Sequence, residues 1–329
     1  MSRPRVSVLL PVRDEEPYLA GALDSISAQT LADFEAIVVD DGSTDGSAAL
    51  AEAHARRDSR FRVIRQEPAG MIAASERARA EALAPLVARM DADDVALPER
   101  LELQVAAIEE EGLAAAGGRI EYFPAPTDGM RTYADWLNGL VTAEAAARDV
   151  FVECPLPGPA LTARAELVSY RETGWPEDYD IVFRIWAAGG RFRNVEALVH
   201  RWRDHPERLS RTTATYSLDA FRRCKVHHLR RTLLAGGRAV VIWGAGPTGK
   251  AFARELQRAG NGVAAFVEVD PRKLGKRIHG APVVPVEQAG GFPGTLALGA
   301  VAGADGRARV RELAAAHGLA EGSDFVAVA

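Results

Sequence analysis

An alternation of short apolar strands with amphipathic helices constrains the fold of the chain up to residue 113 more than any other feature. Strands are predicted at residues 5–12, 34–39, 61–65 and 86–90, and helices follow each of them. Strands that are separated by helices pair in parallel, and both faces of the resulting sheet are covered. The sequence therefore predicts an α/β fold with a mainly parallel sheet.

Two acidic clusters follow two of these strands directly. The first is Asp40-Asp41-Gly42-Ser43-Thr44-Asp45, and the second is Asp91-Ala92-Asp93-Asp94. Open α/β sheets bind ligands at the carboxyl ends of their strands. Closely spaced carboxylates repel one another unless a cation or hydrogen-bond donors compensate them. The clusters therefore favour a divalent metal that holds a nucleotide diphosphate.

The rhythm of the chain changes after residue 114 and again after Gly236-Gly237. Proline-rich residues 155–159 form an irregular turn, because proline removes backbone donors and disfavours helix. A basic helix is predicted at residues 217–234, and a new strand–glycine loop–helix unit starts near residue 239. We therefore expect three parts: residues 1–115 and 116–235 as two halves of one domain, and residues 236–329 as a small Rossmann-like domain.

The composition of the chain indicates which binding partners and which cellular compartment to expect. The net charge of -5 gives no electrostatic footprint for nucleic acid. Basic residues crowd within 201–231, which favours a solvated helix face and leaves contact with an anionic acceptor or a membrane surface open. Two distant cysteines and the lack of a signal peptide or a membrane-spanning apolar run predict a cytoplasmic protein.

Four motifs in order resemble the inverting glycosyltransferases of family 2, which have the GT-A fold. They are the first strand with its Pro11-Val12-Arg13-Asp14-Glu15-Glu16 continuation, the two acidic clusters with Pro98-Glu99-Arg100-Leu101 behind the second, and Glu177-Asp178. Together they cover roughly the first two thirds of the chain, and their order is more specific than any one of them. The resemblance implies a nucleotide-sugar donor, with a UDP-sugar favoured.

The same resemblance implies roles for individual residues. Nucleotide-sugar contacts fall to Pro11, Arg13, Asp41, Arg77, Asp91, Arg208 and Ser210, with the nucleobase near the first three. The metal ligands are Asp93 and His205, and Mg²⁺ or Mn²⁺ suits an oxygen-rich set. Asp178 is the catalytic base, with Glu177 beside it. The competing interpretation of the acidic residues is that they cap helices and form turns.

The C-terminal unit carries a glycine loop, Gly244-Ala245-Gly246-Pro247-Thr248-Gly249, between a strand and a helix. This context is that of a dinucleotide fold, and Asp270 or Glu268 lies near the position of a ribose-binding acid. The unit resembles small nucleotide-sugar-binding Rossmann-like domains. A second nucleotide site at Gly244, Gly246, Gly249 and Asp270, an NAD site, and a packing or homodimerisation unit all stay open.

The sequence thus predicts a metal-dependent inverting glycosyltransferase. The acceptor hydroxyl is expected on a glycan, a lipid-linked sugar or a small molecule, as in polysaccharide biosynthesis. A nucleotidyltransferase is an alternative, although the first strand is not followed by the glycine-rich basic loop that such enzymes use. A regulatory protein that binds a nucleotide-sugar or NAD through the C-terminal unit is the other alternative.

Overall fold

The computed structural model describes residues 3–329, so the first two residues of the first predicted part lie outside it. The chain forms two compact units. Unit 1 contains the chain up to Ala147 together with Pro155–Thr212, and unit 2 contains Arg148–Cys154 with Thr213–Ala329. The predicted boundary at 115/116 falls at the start of a strand inside the sheet of unit 1. The predicted boundary at 235/236 falls after a helix that belongs to unit 2.

Unit 1 is built on one eight-stranded sheet. Its strands are β1 Val6–Val12, β2 Phe34–Asp40, β3 Phe61–Arg65, β4 Leu86–Arg89, β5 Val95–Ala96, β6 Ala115–Phe123, β7 Thr162–Arg164 and β8 Phe192–Arg203. Its helices are α1 Glu16–Ser27, α2 Ser47–Ala55, α3 Met71–Ala80, α4 Arg100–Glu111, α5 Asp128–Asn138, α6 Ala143–Arg148, α7 Glu177–Ala187 and α8 Leu209–Thr212. The strand order is β3-β2-β1-β4-β7-β6-β8-β5.

The first four strands of that order run parallel, as do β6 and β8, whereas β7 and β5 pair in the antiparallel sense. The predicted α/β class with a mainly parallel sheet is therefore confirmed. The central strands are buried on both faces, which explains their unbroken β-branched and apolar sequence. Because β1 lies between β2 and β4, the chain segments that follow these three strands meet at one edge of the sheet.

Amphipathic helices cover this sheet. In α1 the buried positions Leu19, Leu23 and Ile26 recur at helical spacing and join the same apolar cluster as the side chains of β1 and β2. Helix α4 ends at Gly112, whose φ of 66° is a left-handed conformation that glycine adopts without strain. The helices thus fix the sheet and leave its carboxyl edge to the loops.

Unit 2 has a six-stranded sheet. Its strands are β9 Val240–Trp243, β10 Val263–Val267, β11 Arg277–Ile278, β12 Ala281–Val284, β13 Leu296–Gly299 and β14 Phe325–Ala327, in the order β11-β12-β10-β9-β13-β14. Its helices are α9 Leu218–Arg231, α10 Pro247–Arg258 and α11 Ala304–Ala316. All pairs are parallel except β11 with β12.

The segment Arg148–Cys154 is part of unit 2 because polar contacts hold it there. The buried Lys225 Nζ donates to the carbonyls of Val152 at 2.7 Å and Val328 at 3.2 Å. The buried Asp149 carboxylate accepts a hydrogen bond of 2.6 Å from Arg311 Nη2. Within residues 3–329, the helices all fall short of the length and apolar character that crossing a bilayer requires.

Candidate active site

The carboxylate of Asp41 organises the loop that follows β3. It accepts hydrogen bonds from Gln66 Nε2 at 2.7 Å and from the backbone nitrogens of Ala69 and Gly70, each at 2.8 Å. Burial alone would raise the pKa of Asp41, but these three donors outweigh it and lower the pKa. Asp41 is therefore a charged, almost inaccessible side chain that stabilises the conformation of the loop after β3.

The loop after β1 lies beside this cluster. Arg13 is exposed and its Nη1 lies 3.6 Å from Asp41 Oδ2, while Pro11 is part of β1. Asp14 has a φ of 53° and accepts hydrogen bonds from Thr44 N at 2.7 Å and Thr44 Oγ1 at 3.1 Å. The loops after β1 and β2 are therefore tied together, and Pro11, Arg13 and Asp41 share one corner of the carboxyl edge.

The second acidic cluster brings three carboxylates together at the end of β4. One oxygen from each of Asp91, Asp93 and Asp94 lies within 4.8 Å of the others. Burial, followed by the charges of Asp94 and Asp91, raises the pKa of Asp93 to about 6. Three carboxylates this close together repel one another when no cation lies between them. A divalent cation would relieve this repulsion.

Asp93 has a histidine partner. His205 Nε2 lies 2.9 Å from Asp93 Oδ2, and both side chains are largely buried. Glu15 lies near this pair: burial, followed by the charge of Asp93, raises the pKa of Glu15 to about 7. Oxygen donors with one imidazole match the ligand preferences of Mg²⁺ and Mn²⁺. The residues present therefore fit a divalent cation.

Asp94 differs from Asp91 and Asp93 in that its carboxylate contacts residues of β8. Its Oδ2 lies 2.8 Å from Nε2 of the buried His200, and its Oδ1 accepts a hydrogen bond of 2.6 Å from Arg203 N. Arg203 Nε in turn donates to the carbonyl of Asp93 at 2.6 Å. Burial, together with the nearby Arg100, lowers the pKa of His200 well below its usual value. This network fastens the acidic turn to β8 and so positions Asp93.

The predicted base and its neighbour begin α7. Glu177 is buried and pairs with Arg89 Nη1, while Arg89 Nε donates to Asp91 Oδ1 at 3.0 Å. Asp178 is partly buried, and its Oδ1 accepts a hydrogen bond of 2.7 Å from Tyr179 N. Burial, followed by the charge of Glu177, raises the pKa of Asp178 to about 7. The structure therefore links Glu177 and Asp178 to the end of β4 through Arg89.

Gly158 provides the space for the Asp178 carboxylate. It lies in the 3₁₀ turn Gly158–Ala160, and a β-carbon at Gly158 would overlap with Asp178 Oδ2. The proline-rich turn thus packs its backbone against the predicted base. This close approach explains why a glycine stands between Pro157 and Pro159.

We expect the substitution Gly158→Ala to lower kcat by one to two orders of magnitude with little change in donor affinity. The added methyl group displaces the Asp178 carboxylate, and a displacement of about 1 Å can cost 10²-fold in rate. Steady-state kinetics and donor titration would measure the two effects. Gly21→Ala is the matched control, because a β-carbon at Gly21 meets no atom within 4 Å. Unchanged kcat in Gly158→Ala would contradict the packing argument.

Three predicted donor-site residues lie outside these contacts. Arg77 is exposed on α3 and pairs with Glu81 at 3.0 Å. The guanidinium of Arg208 lies 4.4 Å from the centre of the Trp202 ring, and its charge acts on Asp94 and His200. Ser210 is exposed in the single turn of α8. Of the three, Arg208 is the one that the structure brings near the acidic turn.

The C-terminal glycine loop lies between β9 and α10. Gly244 has a φ of 109°, and a β-carbon at Gly249 would overlap with the Gly244 carbonyl, whereas the space at Gly246 is open. The carboxylate of Glu268 accepts hydrogen bonds from Ala245 N at 3.0 Å and Lys273 Nζ at 2.8 Å. Asp270 instead binds Arg272. Of the two candidate ribose-binding acids, Glu268 and Asp270, it is therefore Glu268 that contacts the glycine loop.

Arg89, Glu15, Gly158 and His200 take part in the site but were not predicted from the sequence. Arg89 carried a usable signal, because a charged residue inside a buried apolar strand needs a partner. Glu15 stands in the acidic run Asp14-Glu15-Glu16, where the sequence does not distinguish it from its neighbours. Gly158 and His200 gave no signal, since their roles depend on contacts with distant segments.

Comparison with solved structures identifies the fold of unit 1. The fold is similar to that of S. aureus TarS 1-349 in complex with UDP-GlcNAc, with a TM-score of 0.56 and 19% identity over 77% of this chain and 72% of that one. It is also similar to the mannosyltransferase PcManGT from Pyrobaculum calidifontis in complex with GDP-Man and Mn²⁺, with a TM-score of 0.51 and 20% identity over 79% and 76% of the two chains. Unit 1 is therefore a GT-A-like glycosyltransferase fold, as predicted.

Sequence relatives define the family. Residues 7–156 match the model of glycosyl transferase family 2. Putative glycosyltransferase EpsE of Bacillus subtilis is 28% identical over 66% of this chain and 80% of that protein. Succinoglycan biosynthesis protein ExoU of Rhizobium meliloti is 29% identical over 71% and 70%. The matched segment, residues 7–156, is therefore a glycosyl transferase family 2 domain, and these relatives support a glycosyltransferase enzyme.

Proposed function

We propose that the protein is a metal-dependent inverting glycosyltransferase that moves a sugar from a nucleotide-sugar to an acceptor hydroxyl. One observation carries the proposal: Arg89 donates to Asp91 Oδ1 at 3.0 Å and pairs with Glu177, the neighbour of the predicted base Asp178. Burial, followed by neighbouring charges that include Asp91 in both cases, raises the pKa of Asp93 and of Asp178. One guanidinium therefore links the acidic cluster proposed to hold the diphosphate to the start of the helix proposed to hold the base.

Asp178 supplies the base. With a pKa near 7 it is partly deprotonated at neutral pH and still basic enough to accept the proton of a sugar hydroxyl. The deprotonated hydroxyl attacks the anomeric carbon from the side opposite the diphosphate, and the bond to the diphosphate breaks. A single displacement of this kind inverts the anomeric configuration.

Asp93 and His205 would hold the metal, with Asp91 adjacent. When bound, a divalent cation stabilises the charge that develops on the departing diphosphate. Support for Mn²⁺ or Mg²⁺ comes from the oxygen-rich donor set and from PcManGT, whose structure contains Mn²⁺. The network of Asp94, His200 and Arg203 keeps Asp93 in place.

The donor is proposed to lie along the carboxyl edge of β1, β2 and β4. Pro11, Arg13 and Asp41 would face the nucleobase, the last of them mainly by shaping the loop at Ala69 and Gly70. Asp91 and Arg77 would serve the sugar or ribose, and Arg208 and Ser210 the phosphates. TarS with UDP-GlcNAc and PcManGT with GDP-Man support a nucleotide-sugar, and the family resemblance favours UDP.

A glycan is the proposed acceptor. ExoU is a succinoglycan biosynthesis protein, and this chain covers 70% of its length. The corresponding proposal for the protein is a step in polysaccharide biosynthesis in which the acceptor offers a sugar hydroxyl.

The test is a screen of nucleotide-sugars for release of nucleoside diphosphate, with Mn²⁺, with Mg²⁺ and with EDTA. UDP-GlcNAc, UDP-glucose, UDP-galactose and GDP-mannose are the first donors, each with and without an oligosaccharide mixture. We expect one donor class to be turned over, with the activity lost in EDTA and restored by added metal. Metal-independent turnover would contradict the proposed role of Asp93 and His205. Release of pyrophosphate instead of nucleoside diphosphate would favour a nucleotidyltransferase.

A second nucleotide site in unit 2 is a separate proposal. The close packing of Gly249 on Gly244 and the open space at Gly246 support it. Calorimetric titration of the full chain with UDP, UDP-GlcNAc and NAD would test it. Binding that persists in EDTA would support the second site, whereas one metal-dependent site alone would leave the glycine loop as a packing element.

A further inference from the structure

Arg89 is a charged residue at the end of a buried strand. It is the last residue of β4, and its side chain is only 7% exposed. Taking a guanidinium out of water is costly unless ionised partners surround it. Its position therefore requires specific anionic contacts.

Those contacts join the two sides of the site. Nε donates to Asp91 Oδ1 at 3.0 Å, and Nη1 pairs with Oε1 of Glu177. Asp91 follows β4 on the donor side, whereas Glu177 is the first residue of α7. A single guanidinium therefore links the acidic turn to the helix that presents Asp178.

The two adjacent carboxylates at the start of α7, Glu177 and Asp178, have different surroundings. The side chain of Glu177 is 1% exposed and is held by Arg89. Asp178 is partly exposed, accepts a hydrogen bond of 2.7 Å from Tyr179 N, and places its Oδ2 against the backbone of Gly158. A buried carboxylate in an ion pair is poorly placed to take a proton from a substrate, whereas its more accessible neighbour is well placed.

We propose that Arg89 is a positioning residue for the general base: its ion pair with Glu177 fixes the first turn of α7 and leaves Asp178 as the carboxylate that accepts the proton. The inference rests on the proposed role of Asp178 as the base. It adds that the ionisation of Asp178 is set by a residue of the donor-side strand.

The charges around Asp178 determine the sign of the expected effects. Burial is the largest cause of the raised pKa of Asp178. Among the charges, Glu177 on its own helix and Asp91 after β4 raise this pKa and Arg89 on β4 lowers it, while Tyr170 is a buried phenol nearby. The 3₁₀ turn Gly158–Ala160 contacts Asp178 through Gly158, which carries no charge. Removing Arg89 should therefore raise the pKa of Asp178, and removing the charge of Glu177 should lower it.

The experiment is an NMR titration of the full chain labelled with ¹³C at the aspartate carboxyl carbon. The Asp178 resonance is assigned by its loss in Asp178→Asn. In Arg89→Met we expect the titration midpoint to rise by about one pH unit or more, and in Glu177→Gln to fall by a similar amount, since one neighbouring charge at short range has this size of effect. Shifts in the same direction, or none, would overturn the proposal.

Two further variants keep the result interpretable. Arg184→Met is the matched control, because Arg184 lies on the same helix and pairs with Asp180 at 2.8 Å without bordering Asp178. It should leave the Asp178 midpoint unchanged. Arg89→Lys should keep the midpoint within about half a unit of the parent while lowering kcat, since lysine carries the charge but cannot make both contacts. If Arg89→Met does not fold, Glu177→Gln decides: a lower midpoint supports the proposal, and an unchanged one overturns it.

The acid limb of the turnover profile separates this proposal from the proposed function. With the donor identified by the screen above, the limb should move up in Arg89→Met and down in Glu177→Gln, together with the NMR midpoints. Turnover that survives in Asp178→Asn would remove the base assignment, and the role of Arg89 with it. An inactive Asp178→Asn with limbs that do not move would overturn the role of Arg89 alone.

Discussion

Replacing Asp178 by asparagine should lower turnover by 10²- to 10⁴-fold, the usual contribution of a positioned general base. Donor and metal affinity should stay within a few-fold of the parent, because the contacts proposed for the donor lie at the ends of β1, β2 and β4. Steady-state kinetics and calorimetric donor titration would measure both. Asp128→Asn is the matched control, since Asp128 also stands in the first turn of a helix but is fully exposed.

The stability of this variant has its own pH dependence. The folded-state pKa of Asp178 is raised above its unfolded value, so its contribution to stability is complete below about pH 4 and is lost as the pH rises toward 7. Asparagine avoids that loss. The difference in Tm between variant and parent should therefore move in favour of the variant between pH 4 and pH 8. A variant that is less stable at pH 8 would indicate a structural role for the carboxylate.

Replacing Asp93 by asparagine should remove metal-dependent donor binding and lower transfer by roughly 10³-fold. This size follows from the several kcal/mol by which a bound cation stabilises transition-state charge. Calorimetry with Mn²⁺ alone, and then with UDP in the presence of Mn²⁺, reads out the site without catalysis. Full Mn²⁺ affinity in Asp93→Asn would contradict the metal assignment.

Asp45→Asn is a suitable control for this prediction. Asp45 belongs to the other acidic cluster, and its carboxylate accepts hydrogen bonds from Ser47 N at 2.9 Å and Glu16 N at 3.0 Å. We expect it to retain the metal response and to lose only the stability of that loop. The comparison shows whether the metal depends on one cluster or on acidic charge in general.

The sequence was informative where a residue's task follows from its position on an element. The strands of unit 1 and the acidic turns at their ends could be predicted, because β-branched runs, amphipathic helices and carboxylates are local signals. The strand β9 and the helix α10 on either side of the C-terminal glycine loop could be predicted for the same reason. These signals are sufficient to predict the resemblance to glycosyltransferases and the sheet edge at which the acidic clusters lie.

Roles that depend on distant pairs could not be predicted. Arg89 and Glu177 are 88 positions apart, and His200 and Asp94 are 106 apart. The inclusion of residues 148–154 in unit 2 has the same origin, because Lys225 and Arg311 hold that segment. The hydrogen bonds that Asp41 accepts from the backbone of Ala69 and Gly70 could not be predicted either. They are additional to the nucleobase contact that the family resemblance implies for Asp41.

The central claim is a single displacement in which Asp178 activates the attacking hydroxyl. The most direct test is ¹H NMR of the anomeric signal of the glycoside that forms from the identified α-linked donor and its acceptor. The account predicts that the first product formed has the β configuration and that Asp178→Asn forms none in the same time. A product that retains the α configuration would contradict it.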